Sequence, residues 1–314
     1  MIVALVMLGA LYSVGHIWSG AGPATQILTV QIKDGTSLAG AAKQLEAAGA
    51  INSASRFRLF ARVLGSGQPI KAGEYRLPAQ ASQSDILSLL QEGKTFQRLV
   101  VVPEGYPSVM VHDALMKADG LTGAVAVPAE GSILPDSYAF QRGDTRASVV
   151  ARMQKAMRTY LAAAWTKRKP GIAVSTPEQA IILASIVEKE TGKPSERRTV
   201  AAVYGNRLRS GMPLQADPTV IYPITKGRPL GRRILRSELE AKNGYNTYAS
   251  PGLPTGPIAN PGRASIDAVL DPAKTNALYF VADGTGGHVF ADTLAQHNAN
   301  VKKWYAIRRA RGEM

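Results

Sequence analysis

A strand, a glycine turn and a helix follow one another twice in this chain, seventy positions apart, and this repeated syntax constrains the fold more than any other feature. In the first copy Ile27 to Ile32 reads Ile-Leu-Thr-Val-Gln-Ile, an alternation of period two. Lys33-Asp34-Gly35 then turns the chain into a helical stretch, Leu38 to Ala48. In the second copy Leu99 to Val102 is strand-like, Glu104-Gly105 is the turn, and Val109 to Ala118 is the helix, closed by Asp119-Gly120-Leu121. The correspondences Val30/Val100, Ile32/Val102, Gly35/Gly105, Leu45/Leu115 and Ile51/Leu121 predict two similar small modules. Two copies are too few for a solenoid.

Between the copies, Phe57 to Val63 reads as helix, Gly73 to Leu77 as strand, and Ser84 to Gln91 as a helix with Ser82 as N-cap. Residues 23–98 therefore read as a small α+β domain. Beyond it the chain is helical from Val149 to about Lys167, where Lys167-Arg168-Lys169-Pro170-Gly171 breaks it. Tyr279 to Ala282 and His288 to Ala291 flank a glycine-rich turn and read as a hairpin, followed by an amphipathic helix ending in Arg308, Arg309 and Arg311. A length of 314 residues with 45% hydrophobic content accommodates two domains. The absence of cysteine excludes disulfide frameworks, thiolate metal sites and a Cys nucleophile. The net charge of +14 favours an acidic partner, whether nucleic acid, anionic lipid or an acidic wall polymer, without choosing among them. Because the basic residues are scattered rather than laid along one reading element, nucleic acid is the weakest of the three.

Met1 to Trp18 carries no Lys, Arg, Asp or Glu. At about 1.5 Å per residue this run approaches the roughly 30 Å hydrocarbon core of a bilayer, so residues 1–22 read as a single-pass membrane anchor. A cleaved signal peptide is the alternative, but it lacks a basic n-region and has only the loose small-residue site Ser19-Gly20-Ala21-Gly22. Either reading exports the remainder of the chain.

Ser175-Thr176-Pro177-Glu178-Gln179 combines a Thr N-cap, Pro at the first helical position and Gln three residues after the cap, and the helix it starts runs to Thr191 before Gly192 and Pro194. At about 100° per residue, Glu178, Ser185, Glu188 and Lys189 share a polar arc. Glu190 falls opposite, among Leu183, Ala184, Ile186, Val187 and Thr191. Glu188 and Glu190, two apart, cannot line one site as a pair. Burial on the apolar side and the negative end of the helix dipole both raise a carboxyl pKa, which suits a general acid. A structural Glu that caps a neighbouring element or pairs with an Arg fits the same wheel, and periodicity leaves both readings open.

Several longer blocks bear on that choice. They are Glu130 to Tyr138 (EGSILPDSY), Ala184 to Thr191 (ASIVEKET), Asn206 to Met212 (NRLRSGM), Leu214 to Tyr222 (LQADPTVIY), Tyr245 to Tyr248 (YNTY) and Gly252 to Gly262 (GLPTGPIANPG), followed by Asp271 to Lys274, Tyr279 to Gly284, Gly287-His288 and His297-Asn298. In this order they resemble the YceG-like family, the endolytic murein transglycosylases, over nearly the whole chain after the apolar segment. The chain departs from the family pattern at Ser132, where an aromatic usually follows Glu-Gly, and at Gly205, where an apolar residue usually precedes Asn-Arg.

The resemblance implies an α+β fold: an N-terminal membrane helix, a small LysM-like α+β module, and a larger α+β catalytic domain, residues 99–314, whose central buried helix bears the catalytic Glu. It implies that Glu190 is catalytic and that the reaction is non-hydrolytic cleavage between N-acetylmuramic acid and N-acetylglucosamine. That reaction leaves 1,6-anhydro ends and limits strand length. A lone acid/base suffices for it, whereas a hydrolase needs a second carboxylate, for which Asp217, Glu130 and Asp136 are candidates. Glu130, Asn206, Gln215, Asp217, Thr219, Tyr245, Asn246 and Tyr248 are expected to contact sugar hydroxyl and acetamido groups, although Asp217-Pro218 and Asn260-Pro261 are also ordinary turn formers. No cofactor is expected. His288, His297, Asp283 and Asp292 match no metal-site spacing, and Asp283-Gly284 reads as a hairpin turn. The implied setting is the bacterial inner membrane, with the catalytic domain in the periplasm, peptidoglycan strands as substrate and cell-wall synthases (penicillin-binding proteins) as partners. A muramidase and a non-catalytic glycan-binding scaffold are the competing classes.

Overall fold

The computed structural model describes residues 12–313 and is of mixed α+β class. Most of the apolar N-terminal run lies at residues 1–11, outside the described residues. Residues 12–19 are helical, and no helix among the described residues is long and apolar enough to cross a membrane. The chain divides into two compact units. One comprises the described residues up to Leu99 with Ala139–Asp144, and the other comprises Val100–Tyr138 and the chain from Thr145 onward.

In the first unit β1 (Leu28–Ile32) is followed by helices α1 (Leu38–Ala47) and α2 (Ala54–Val63), then β2 (Gly73–Leu77) and α3 (Gln83–Glu92). The antiparallel pair β1–β2 sets Val30 opposite Tyr75 and Leu28 opposite Leu77, so the period-two apolar residues of β1 meet those of β2 on one face. Val30, Ile32, Leu45, Phe57, Tyr75, Leu77, Ile86 and Leu90 close the core on that face. Ser37 caps α1 by accepting from Gly40 N, and Ser82 with Asp85 forms a reciprocal capping box on α3. Glu74 is buried, and Arg98 holds it through both oxygens, Nε to Oε2 at 3.2 Å and Nη2 to Oε1 at 3.1 Å. Paired in this fork, a buried carboxylate is tolerated that would otherwise be costly.

β3 (Arg98–Val101) pairs with β4 (Ser137–Phe140). The second unit then runs through α4 (Ser108–Lys117), α5 (Arg146–Thr166), α6 (Pro177–Glu190), α7 (Arg197–Arg209), α8 (Asp217–Thr225), α9 (Arg236–Glu240), α10 (Arg263–Leu270), the hairpin β5 (Tyr279–Ala282) and β6 (His288–Ala291), and α11 (Leu294–Ala310). α6 is the centre of its core. Ala180, Ile181, Leu183, Ala184, Ser185, Ile186 and Val187 are all buried, and the helix packs against α5, α7, α8 and α10. Its start is the one predicted: Thr176 Oγ1 accepts from Gln179 N, and Gln179 Oε1 returns to Ser175 N.

One local reading changes and another gains its partners. Asp217-Pro218 does not make a free turn but opens α8, where a proline in the first turn loses no helical hydrogen bond. The polar arc of α6 is only partly solvated: Glu178 and Lys189 are exposed, whereas Ser185 is fully buried and the Glu188 side chain nearly so. Ser185 Oγ accepts from Ile258 N at 3.1 Å and Glu188 Oε2 from Gly262 N at 2.9 Å. The irregular segment 258–262 presents backbone donors that need acceptors, and these two side chains supply them.

Candidate active site

Glu190 is the last residue of α6 and opens on a cleft of about 420 Å³. Tyr204 and Arg207, three apart on one face of α7, form one wall. Gln215, Asp217 and Tyr248 form another, with Phe280 and His297 completing it. Glu190 is half-buried as a residue, but its Oε1 is fully enclosed and has no hydrogen-bond partner among the described residues. Burial first, and then the nearby Asp217 carboxylate, push its pKa up to about 7, while a hydrogen bond from Tyr204 and the Arg207 charge pull the other way.

Each neighbour is held in place. Arg207 donates from Nε to Leu278 O and from Nη1 to Leu214 O, both at 2.7 Å, so neutral carbonyls fix a guanidinium whose charge is not cancelled. Tyr204 is buried, and desolvation together with the Glu190 charge drives its pKa upward, which keeps the phenol protonated and donating. Tyr248 Oη donates to Asp217 Oδ1 at 2.6 Å and so anchors an exposed carboxylate at the rim. Gln215 stands in the left-handed region at φ 53°, tethered by its own N–H to Thr247 O. His297 stacks on Tyr279, and its Nδ1 is buried without a hydrogen-bond partner among the described residues.

The other predicted site residues lie outside this cleft. Asn206 sits on another face of α7, its amide donating to Thr275 O and Ala277 O. Asn246 is buried and ties three carbonyls, Glu238 O, Leu239 O and Ala241 O, into one turn. Thr219 is buried against Thr247, Oγ1 to Oγ1 at 2.8 Å. Glu130 accepts from Ser108 N at 2.8 Å and Ser108 Oγ at 3.1 Å, and Tyr222 shares its hydroxyl between Glu130 and Tyr245. Asp136 pairs with Arg263 at 2.8 Å. Of the residues weighed as metal ligands, His288 is held by Glu196, Nδ1 to Oε2 at 2.7 Å, and Asp283 Oδ1 accepts from Thr285 N within the hairpin turn.

The YceG-like family model matches residues 30–303. The chain belongs to the YceG-like family. A Bacillus subtilis (strain 168) protein named endolytic murein transglycosylase is 35% identical over 204 residues, covering 65% of this chain and 54% of that protein. One from Streptococcus pneumoniae (serotype 2, strain D39) with the same name is 28% identical, covering 87% and 58%. The chain thus spans little more than half the length of these curated relatives. The crystal structure of a yceG-like protein from Listeria monocytogenes shares the fold at TM-score 0.54 and 29% identity, covering 88% of this chain and 99% of that one.

Among this family member's cleft residues, Tyr204, Arg207 and Phe280 were given no role by sequence reasoning, and His297 was weighed only as a metal ligand. Arg207, Phe280 and His297 stand inside the motif blocks, but Tyr204 stands in none. The available signal was spacing, since Tyr204 and Arg207 are a helical i,i+3 pair in a segment that has no side-chain N-cap to mark it as helix.

Proposed function

We propose that this chain is an endolytic murein transglycosylase that cuts the bond from N-acetylmuramic acid to N-acetylglucosamine without adding water, with Glu190 as the lone acid and base. One observation carries the reading: a cleft carboxyl with a pKa of about 7 and an oxygen not engaged in any internal hydrogen bond. A group poised near neutrality serves as both donor and acceptor of a proton. The carboxyl protonates the glycosidic oxygen as the bond to the muramyl anomeric carbon breaks. The muramyl 6-hydroxyl then closes on that carbon and returns its proton to Glu190, leaving a 1,6-anhydro ring and the original carboxyl. The intramolecular attack gains from proximity and uses no bound water.

Within this reading Gln215, Asp217 and Tyr248, which share the cleft with Glu190, contact the sugars. Glu130, Asn206, Thr219, Tyr245 and Asn246 act from behind by fixing the surrounding loops. The unit preceding Val100 serves as a LysM-like glycan-binding module, and the apolar N-terminal run tethers the enzyme to the inner membrane with the cleft in the periplasm, within reach of cell-wall synthases.

A second reading has one observation in its favour. Asp217 lines the same cleft, so a muramidase could use it as the base for a water. Digesting purified glycan strands and weighing the products separates them. Anhydro ends support the proposal, reducing ends that have gained water support hydrolysis, and intact strands support a binding scaffold. Glu190→Gln is expected to lower cleavage by about 10³-fold, and full activity in that variant would remove Glu190 from the mechanism.

A further inference from the structure

A second cavity, of about 600 Å³, lies on the face of α7 opposite Tyr204 and Arg207, and nothing in the proposed reaction uses it. Its apolar lining, the floor, includes the small groups Ala173, Ala201, Ala202 and Gly205, with Ile172, Leu183 and Val269 beside them. Gly205 is an interior position of a regular helix where glycine weakens the helix and no left-handed backbone requires it. A Cβ there would meet nothing nearer than Ala173 Cβ at 3.4 Å, an ordinary contact. The glycine is therefore not forced by crowding, and its effect is to keep the floor open.

The rim is basic. Lys169, Arg198, Arg209 and Lys274 face a single carboxylate, Asp271, which pairs with Arg198 at 3.0 Å. Arg209 gives its two terminal nitrogens to neutral acceptors, Gly171 O at 3.2 Å and Asn206 Oδ1 at 2.7 Å, so its charge remains available. Neither lysine has an ion-pair partner among the described residues. Among the described residues no aromatic side chain lines the cavity, so the face of a sugar or nucleobase has nothing to stack on. A bare inorganic anion would leave the apolar floor unfilled.

We propose that this cavity is a second binding site, which takes the terminal carboxylate of a short aliphatic peptide, the methyl-sized side chain on the alanine and glycine floor and the carboxylate among the cations of the rim. The source of such a peptide rests on the glycan-strand reading above, since the wall polymer carries short peptides that end in a carboxylate. The site holds the strand by its peptide while α7 presents its other face to the cleft.

The test is calorimetric titration of the full chain with N-acetyl-D-alanyl-D-alanine, with its C-terminal amide, and with inorganic phosphate. The free acid is expected to bind saturably, and the amide about tenfold more weakly or worse. Gly205→Leu, which fills the floor, and Lys274→Glu, which is exposed and spares the core, are each expected to weaken the acid about tenfold while cleavage of peptide-free strands stays unchanged. The proposal is overturned if the acid does not bind, if the amide binds as well as the acid, if phosphate displaces the peptide at equal concentration, or if Lys274→Glu binds like the native chain. The two readings fail separately. Cleavage that survives Glu190→Gln removes the catalytic assignment and leaves the titrations standing, whereas Glu190-dependent cleavage without peptide binding removes this site alone.

Discussion

Glu130 and Glu190 sit in the same unit and both have their pKa raised by burial, yet their surroundings differ in one respect. Glu130 Oε1 already accepts from three donors, Ser108 N, Ser108 Oγ and the Asn260 amide at 3.3 Å. It closes the N-terminus of α4, whose own N-cap residue, Pro107, has no side chain that can accept. Glu190 has an enclosed oxygen with no partner and a cleft in front of it. Burial alone therefore does not distinguish a reactive carboxyl from a structural one. Unsatisfied hydrogen-bonding capacity facing a cavity does.

The widest separation between the two should come from exchanging them in turn. Glu190→Gln is expected to lower cleavage about 10³-fold without loss of stability. Because its folded-state pKa of about 7 lies above the ordinary 4.5, deprotonation costs folded-state stability as pH rises through that interval. Urea melts should accordingly find the variant more stable than the native chain by about 1 kcal/mol at pH 8, the figure allowing for screening at a half-buried site, and no different at pH 4. Glu130→Ala should do the reverse, losing about 1–3 kcal/mol by orphaning Ser108 N, while Glu130→Gln, which keeps an acceptor, should lose less. Equal stability losses in Glu190→Gln and Glu130→Ala would erase the distinction.

The same contrast shows what the sequence made legible. The paired strand, turn and helix copies were readable because each level agreed: Val30 and Val100, Ile32 and Val102, Leu45 and Leu115 are all buried, and Gly35 and Gly105 both adopt left-handed φ near 75°. The helix bearing Glu190 was readable because Thr176, Pro177 and Gln179 mark its start within the local sequence. α7 and α8 were not, although they supply Tyr204, Arg207 and Asp217 to the cleft. α7 follows a 3₁₀ turn and α8 contains Pro223, and neither has a capping side-chain hydrogen bond at its start. The partners of Ser185 and Glu188 were not legible either. Their arc is polar because segment 258–262 docks there and needs acceptors, a contact between residues more than seventy positions apart that no local period encodes.

Two smaller predictions probe the balance around Glu190 and should move in opposite directions. The Asp217 carboxylate raises the Glu190 pKa, so Asp217→Asn should lower it and leave less of the protonated acid above neutrality. The alkaline limb of kcat/KM then shifts to lower pH, and the ratio of activity at pH 8 to that at pH 6 drops by about threefold. A limb that stays in place would mean that Asp217 does not act on Glu190 through charge.

Tyr204→Phe should give the smaller and opposite effect. The phenol donates to the Glu190 carboxylate and so favours its charged form, and Phe removes that donor while keeping the ring that packs edge-on against Phe280 at 5.9 Å. The carboxylate then has one partner fewer in the same buried place, its pKa rises, and the alkaline limb moves to higher pH. Since a carboxyl of higher pKa is also the weaker acid, it gives its proton less readily to the glycosidic oxygen in the first half of the reaction, and kcat near pH 6 should fall even as the limb moves outward. A packing defect would lower activity equally at every pH and shift nothing, so the displaced limb identifies Tyr204 as a group acting through the Glu190 proton rather than through the core.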